Sequence, residues 1–177
     1  DEEHTQDLIT VCTPAFVTPN IVVNADLQKE ILRGTPAFYF FRPGATHFLD
    51  LIMQSWWNQT QNNPLEAQYW SCVPYLLGDG QAMVYSIRSR LKTRTRIPRV
   101  PFRPPDNYLR DAMVATLGRR DVEFDILVQV QTDPHRMPIE DASVRWPAKL
   151  SPWAPVATLR IPRQKFDSEK QFAFAHN

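Results

Sequence analysis

The chain has no Cys-x-x-Cys and no His-Glu-x-x-His, and its four histidines (His4, His47, His135 and His176) are scattered. A zinc site therefore has no support in the sequence. It has only two cysteines, Cys12 and Cys72, both in apolar, aromatic-rich surroundings. They read as reduced core thiols, which suits an intracellular compartment. No apolar run reaches the length that spans a bilayer. There is no internal repeat and no low-complexity tail. A net charge of only +1 sets the chain apart from whole-domain nucleic-acid binders, which carry a stronger basic excess.

What remains is 177 residues at 43% hydrophobic and 22% charged. That is enough for one globular domain with a sizeable core, expected over 1–177. The run "DLITVCTPAFV" (7–17) is rich in β-branched residues and predicts a buried strand broken near Pro14. "NADLQKEILRG" predicts a helix with Asn24 as N-cap and Gly34 as stop. The aromatic run 35–44 reads as extended, and 45–57 has helical apolar spacing. Pro64 opens a short turn, and Asp79-Gly80 is a turn signal ahead of a strand over 82–92. A helix is expected over 106–118, from Asp106 to Gly118, and the best strand over 122–132. "SVRWP" and "WAPVATLRIPR" supply at least one more strand. Strands with turn signals and interspersed helices imply an α+β fold built on a closed or strongly curved antiparallel sheet with peripheral helices.

The oddest stretch is "SIRSRLKTRTRIPRVPFRPP" (86–105), which spaces Arg88, Arg90, Lys92, Arg94 and Arg96 two residues apart. In an extended chain these five charges line one edge. The prolines after Pro98 forbid continuous ladder pairing there. Three readings stay open: a solvated connector, a docking element for a protein partner or anionic surface, and a nucleic-acid stripe. The last has only Phe102 to stack on bases.

Three ordered motifs carry a family resemblance. "DNYLRDAM" (106–113) is followed by "FDILVQVQTDPHRMPIEDASVRWP" (124–147) and then "PVATLRIPRQKF" (155–166). This order resembles the catalase superfamily barrel. "NPLEAQYWSCVPYLLGDGQA" (63–82) is similar to the small catalase-related proteins, and "DLITVCTPAFV" to the barrel strand in which catalases carry Asn-Asn-Thr-Pro. The resemblance covers roughly 7–177. It implies a catalase-like antiparallel β-barrel, a haem cofactor, and peroxide as substrate, hydrogen peroxide or an organic hydroperoxide.

Carried over position by position, the resemblance places Ile9, Thr10, Val11, Phe16, Gly80, Gln81, Ala82 and Ala142 toward a haem. These same residues also read as barrel packing. The family's distal Asn falls on Val11 or Cys12, and Ala82 stands where large catalases have a supporting His. The distal His belongs upstream of 7–17, where His4 lies too close to serve, and the proximal Tyr belongs on a helix beyond the last matched strand. Neither catalytic residue nor axial ligand is assigned within the chain. Trp146-Pro147 and Arg160 are expected to define the fold, and Trp56, Trp57 and Trp70 to pack a core or an interface. The expectation is a catalase-related domain, inactive by itself. The alternative is a non-enzymatic scaffold subunit that docks a protein partner or a further copy through the basic stretch.

Overall fold

The computed structural model describes residues 7–41, 52, 60–98, 103–168 and 171. Among the described residues, the helices α1 (Ile21–Leu32), α2 (Pro36–Phe40) and α3 (Tyr108–Leu117) accompany five strands. The strands are β1 (Gln68–Trp70), β2 (Tyr75–Leu76), β3 (Ala82–Ser89), β4 (Val122–Val130) and β5 (Ala154–Ile161). They form one sheet in the order β1-β3-β4-β5, with β2 paired to β3. The bonds Gln131 N–H to Ala82 O (2.9 Å) and Arg90 N–H to Glu123 O (2.9 Å) make β3 and β4 antiparallel. The fold class is α+β, and among the described residues the sheet path is open.

The chain divides into two compact units. The first takes Asp1–Gln59, Tyr69–Ser86 and Val128–Ala154; the second takes Thr60–Gln68, Ile87–Leu127 and Pro155–Asn177.

In the first unit, α1 starts four residues earlier than the sequence suggests. The cap is Asn20, whose Oδ1 accepts from the N–H groups of Val22 and Val23, both at 3.1 Å. Asn24 instead lies inside the helix, its N–H bonded to Asn20 O. Gly34 does end the element, at φ +73°. The run 35–44, read as extended, contains the helix α2. Pro36 fits its first position because no intrahelical N–H is lost there. Leu27, Tyr39 and Phe40 bury one another, with Val23 against them.

The strand expected over 7–17 reduces to a single antiparallel bridge, Val11 with Trp70. β1 is only three residues long and offers little ladder to extend. "SVRWP" forms no strand either. It belongs to a loop tied to β4 by Gln129, a fully buried amide that donates to Ser151 O at 2.7 Å. Gln131 likewise donates to Met137 O at 2.7 Å. Ala82, Met137 and Trp146 form the core beneath this loop, and Trp146 Nε1 donates to Pro138 O at 3.1 Å. These bonds give Trp146 the fold-defining place expected of it.

In the second unit, β4 buries Val122, Phe124 and Leu127 almost completely. Each such side chain contributes about 1.5–3 kcal/mol of transfer free energy. α3 is flanked by Asn107 at its N-cap and Gly118 at its C-cap, and it buries Leu117. A turn opens at Pro64, as expected. The helix expected over 45–57 falls, Ile52 apart, outside the described residues. Among the described residues no helix is long and apolar enough to cross a membrane.

Candidate functional site

The first unit holds an apolar cleft of about 150 Å³ lined by Phe16, Thr18, Asn20, Ile21, Asn24, Val73 and Ala142. Backbone bonds build it. Phe16 N–H donates to Ala142 O at 3.0 Å, and Ala142 N–H donates to Pro19 O at 2.9 Å. The segment after Pro14 is thus stapled to the loop that carries Ala142. Asn20 cannot be recruited cheaply, because its oxygen already caps α1.

Of the eight residues placed toward a haem, the structure brings Phe16 and Ala142 together on this cleft. Val11 is occupied in the bridge to Trp70, and Thr10 is half-buried beside it. Ile9 is 68% exposed, and its carbonyl accepts the Tyr85 hydroxyl at 2.8 Å. Gly80 and Gln81 form the β2–β3 connection. There Gly80 takes φ +69°, which an L side chain rarely adopts, and Gln81 Nε2 donates to Gln131 O at 3.2 Å. Ala82 is core, packed with Met137 and Trp146. The remaining five lining residues carry no sequence signal for a site, Asn24 having been read only as a helix cap; folding assembles them.

The two thiols lie near the bridge. Cys72 has φ +58°, and its Sγ donates to Thr13 O at 3.0 Å. Burial pushes both the Cys12 and the Cys72 thiols above their ordinary value. Both are therefore held as neutral thiols rather than thiolate ligands. Burial, then the neighbouring Cys12, likewise raises the Tyr69 phenol.

Haem iron needs an axial donor, and the cleft offers only hydroxyl, amide and apolar side chains. Its volume of about 150 Å³ also lies below the roughly 300–1,000 Å³ of pockets that enclose drug-sized ligands. Among the described residues, no three of His, Cys, Asp and Glu gather where a metal could be held. The described residues do not by themselves fit a haem.

The basic stretch divides in two. Arg88 and Arg90 are ion-paired: Arg88 lies 3.7 Å from Asp125, and Arg90 bonds Glu123 and Asp125. Lys92, Arg94 and Arg96 are exposed and have no ion pair among the described residues.

Solved structures give this geometry its setting. The chain is similar in fold to a bacterial catalase, with a TM-score of 0.66 at 13% identity over 93% of this chain. A fungal catalase aligns with a TM-score of 0.62 at 12% identity, again over 93%. The fold is catalase-like. The chain spans only 36% and 37% of the length of those two proteins. No protein-family model matches the chain, and no curated protein matches its sequence.

Proposed function

We propose that this chain is the barrel portion of a catalase-related haem protein acting on hydrogen peroxide or an organic hydroperoxide, and that these residues alone do not turn the substrate over. The single observation that carries the reading is the catalase-like fold, matched over 93% of this chain by a bacterial catalase. In this reading the chain supplies apolar walls that exclude water. Haem, when bound, supplies the redox chemistry. The described cleft contributes no axial donor, and the family's distal amide falls on Val11 or, with a one-residue slip, Cys12. Neither side chain can donate as a carboxamide does. Closure of the sheet into a barrel belongs to the same reading.

The test has two arms. Haemin titrated into the purified chain should give no ligand-specific Soret shift, and peroxide should evolve no oxygen above free haemin. A shuttling acid–base group alone contributes about a hundred- to ten-thousand-fold, so catalase-level turnover by the chain would refute its inactivity. In the second arm, the protein purified from its source should carry stoichiometric haem. Haem-free material would favour a scaffold instead.

A further inference from the structure

We infer that residues 92–96 form a docking edge for an extended acidic peptide, which adds as a strand and places alternate carboxylates over Lys92, Arg94 and Arg96. This inference does not depend on haem or on peroxide chemistry.

The clamp on Thr95 is the first observation. Its N–H donates to both Glu66 carboxylate oxygens, at 3.0 and 2.8 Å, and its hydroxyl donates to Glu66 Oε1 at 2.6 Å. Asn63, 1% exposed, donates to the same hydroxyl at 3.3 Å and to Thr116 on α3 at 2.9 Å. A segment that composition alone would leave mobile is therefore held in place at its centre. The ordering cost that a flexible basic tail would meet on binding is already met in part.

Direction is the second. Residues 91–97 contain no turn, bend or helix. We take this run as extended, in which the backbone N–H and C=O of successive residues point to opposite edges and side chains alternate between faces. The Thr95 N–H faces Glu66, so the groups of Arg94 and Arg96 face the other edge. Among the described residues, the N–H groups of Lys92, Arg94 and Arg96 have no hydrogen-bond partner. An added strand would find those donors free, with the three cations together on one face.

Charge is the third. Glu66 is committed to Thr95, and the acids of β4 are committed to Arg88 and Arg90. Nothing nearby among the described residues neutralises the three cations. The complement of such an edge is a strand with Asp or Glu at every second position. Nucleic acid is disfavoured, since among the described residues of the edge no aromatic side chain offers a stacking platform.

Fluorescence anisotropy with the purified chain tests the proposal. The probes are a labelled peptide alternating Glu and Thr, an isomer with its glutamates in one block, and single-stranded oligodeoxythymidylate. The alternating peptide should bind about tenfold or more tighter than the block isomer, and combined Lys92→Ser, Arg94→Ser and Arg96→Ser should remove at least about tenfold. Glu66→Gln separates register from bulk charge. It removes a negative charge, so simple attraction predicts tighter binding, whereas loss of the clamp predicts several-fold weaker binding. Thr95→Val, which removes the hydroxyl bonds without changing charge, repeats this test should Glu66→Gln impair folding. Equal affinity for the two isomers, tighter binding by the Glu66 variant, or preference for the oligonucleotide would each overturn the proposal.

Discussion

Arg90 Nε donates to Asp125 Oδ1 at 2.7 Å, and the same guanidinium reaches Glu123 Oε2 at 2.8 Å and Thr158 Oγ1 at 3.1 Å. One side chain of the basic stretch thus ties the end of β3 to β4 and β5. The Asp125 hydrogen bond, followed by that of Glu123, raises the Arg90 pKa from an already high value. Arg90 belongs to the sheet, and Arg94 does not. Arg90→Ser should lower the thermal midpoint measurably, because it leaves the half-buried Asp125 without its closest partner. Arg94→Ser should leave the midpoint unchanged. High salt should narrow the gap between the two variants, as it screens exposed pairs. Equal midpoints in low-salt thermal unfolding would show that the three-strand tie contributes nothing.

Asn63 should matter more than any single arginine. Its Oδ1 accepts from Leu65 N–H at 3.0 Å while its amide serves Thr116 and Thr95. Asn63→Leu keeps the number of side-chain heavy atoms and abandons all of these bonds inside a site that water does not reach. The expected loss is about 1–3 kcal/mol, the usual cost of leaving buried polar groups unsatisfied. Urea unfolding measures it. A change within about 0.5 kcal/mol, the range of ordinary surface substitutions, would mean that water or rotation repairs the network.

Sequence patterning made β3 and β4 readable because each alternates along most of its length, and the turn at Gly80 was readable because Asp79-Gly80 has a mechanism. It did not show that Leu127, Val128 and Gln129 are buried in succession. Within the first unit, Gln129 is held there by its bond to Ser151 O, a partner 22 residues away in sequence. Aromatic content made 35–44 look extended, whereas Pro36 is a sound helix start and the aromatic rings Tyr39 and Phe40 pack on α1. The two-residue spacing of the cations was plain. Which of them had acids waiting was not, since Glu123 and Asp125 stand 33 and 35 residues from Arg90 in sequence. The site behaves in the same way. Phe16 and Ala142 were reachable through a family resemblance, while Val73 and Thr18 join them only by tertiary folding.

Tyr85 gives the fold an alkaline limit. Its ring is 3% exposed, it stands 5.3 Å from the Tyr75 ring, and its hydroxyl donates to Ile9 O at 2.8 Å. Burial first, and then the Tyr75 hydroxyl, pushes its pKa from 10.0 up to about 12. The sign follows from proton counting. Above pH 10 the unfolded chain releases this proton while the folded chain keeps it, so the unfolded state gains. Stability from this phenol is fully present below pH 10 and is lost as pH rises toward about 12. Thermal midpoints recorded across that window should fall in the native chain. In Tyr85→Phe the fall should be shallower, starting from a midpoint already lowered by loss of the Ile9 hydrogen bond, worth about 0.5–1.5 kcal/mol. Tyr69, also raised by burial, leaves a residual slope in the variant. Parallel pH profiles for the two proteins would mean that the Tyr85 phenol ionises as readily in the fold as outside it.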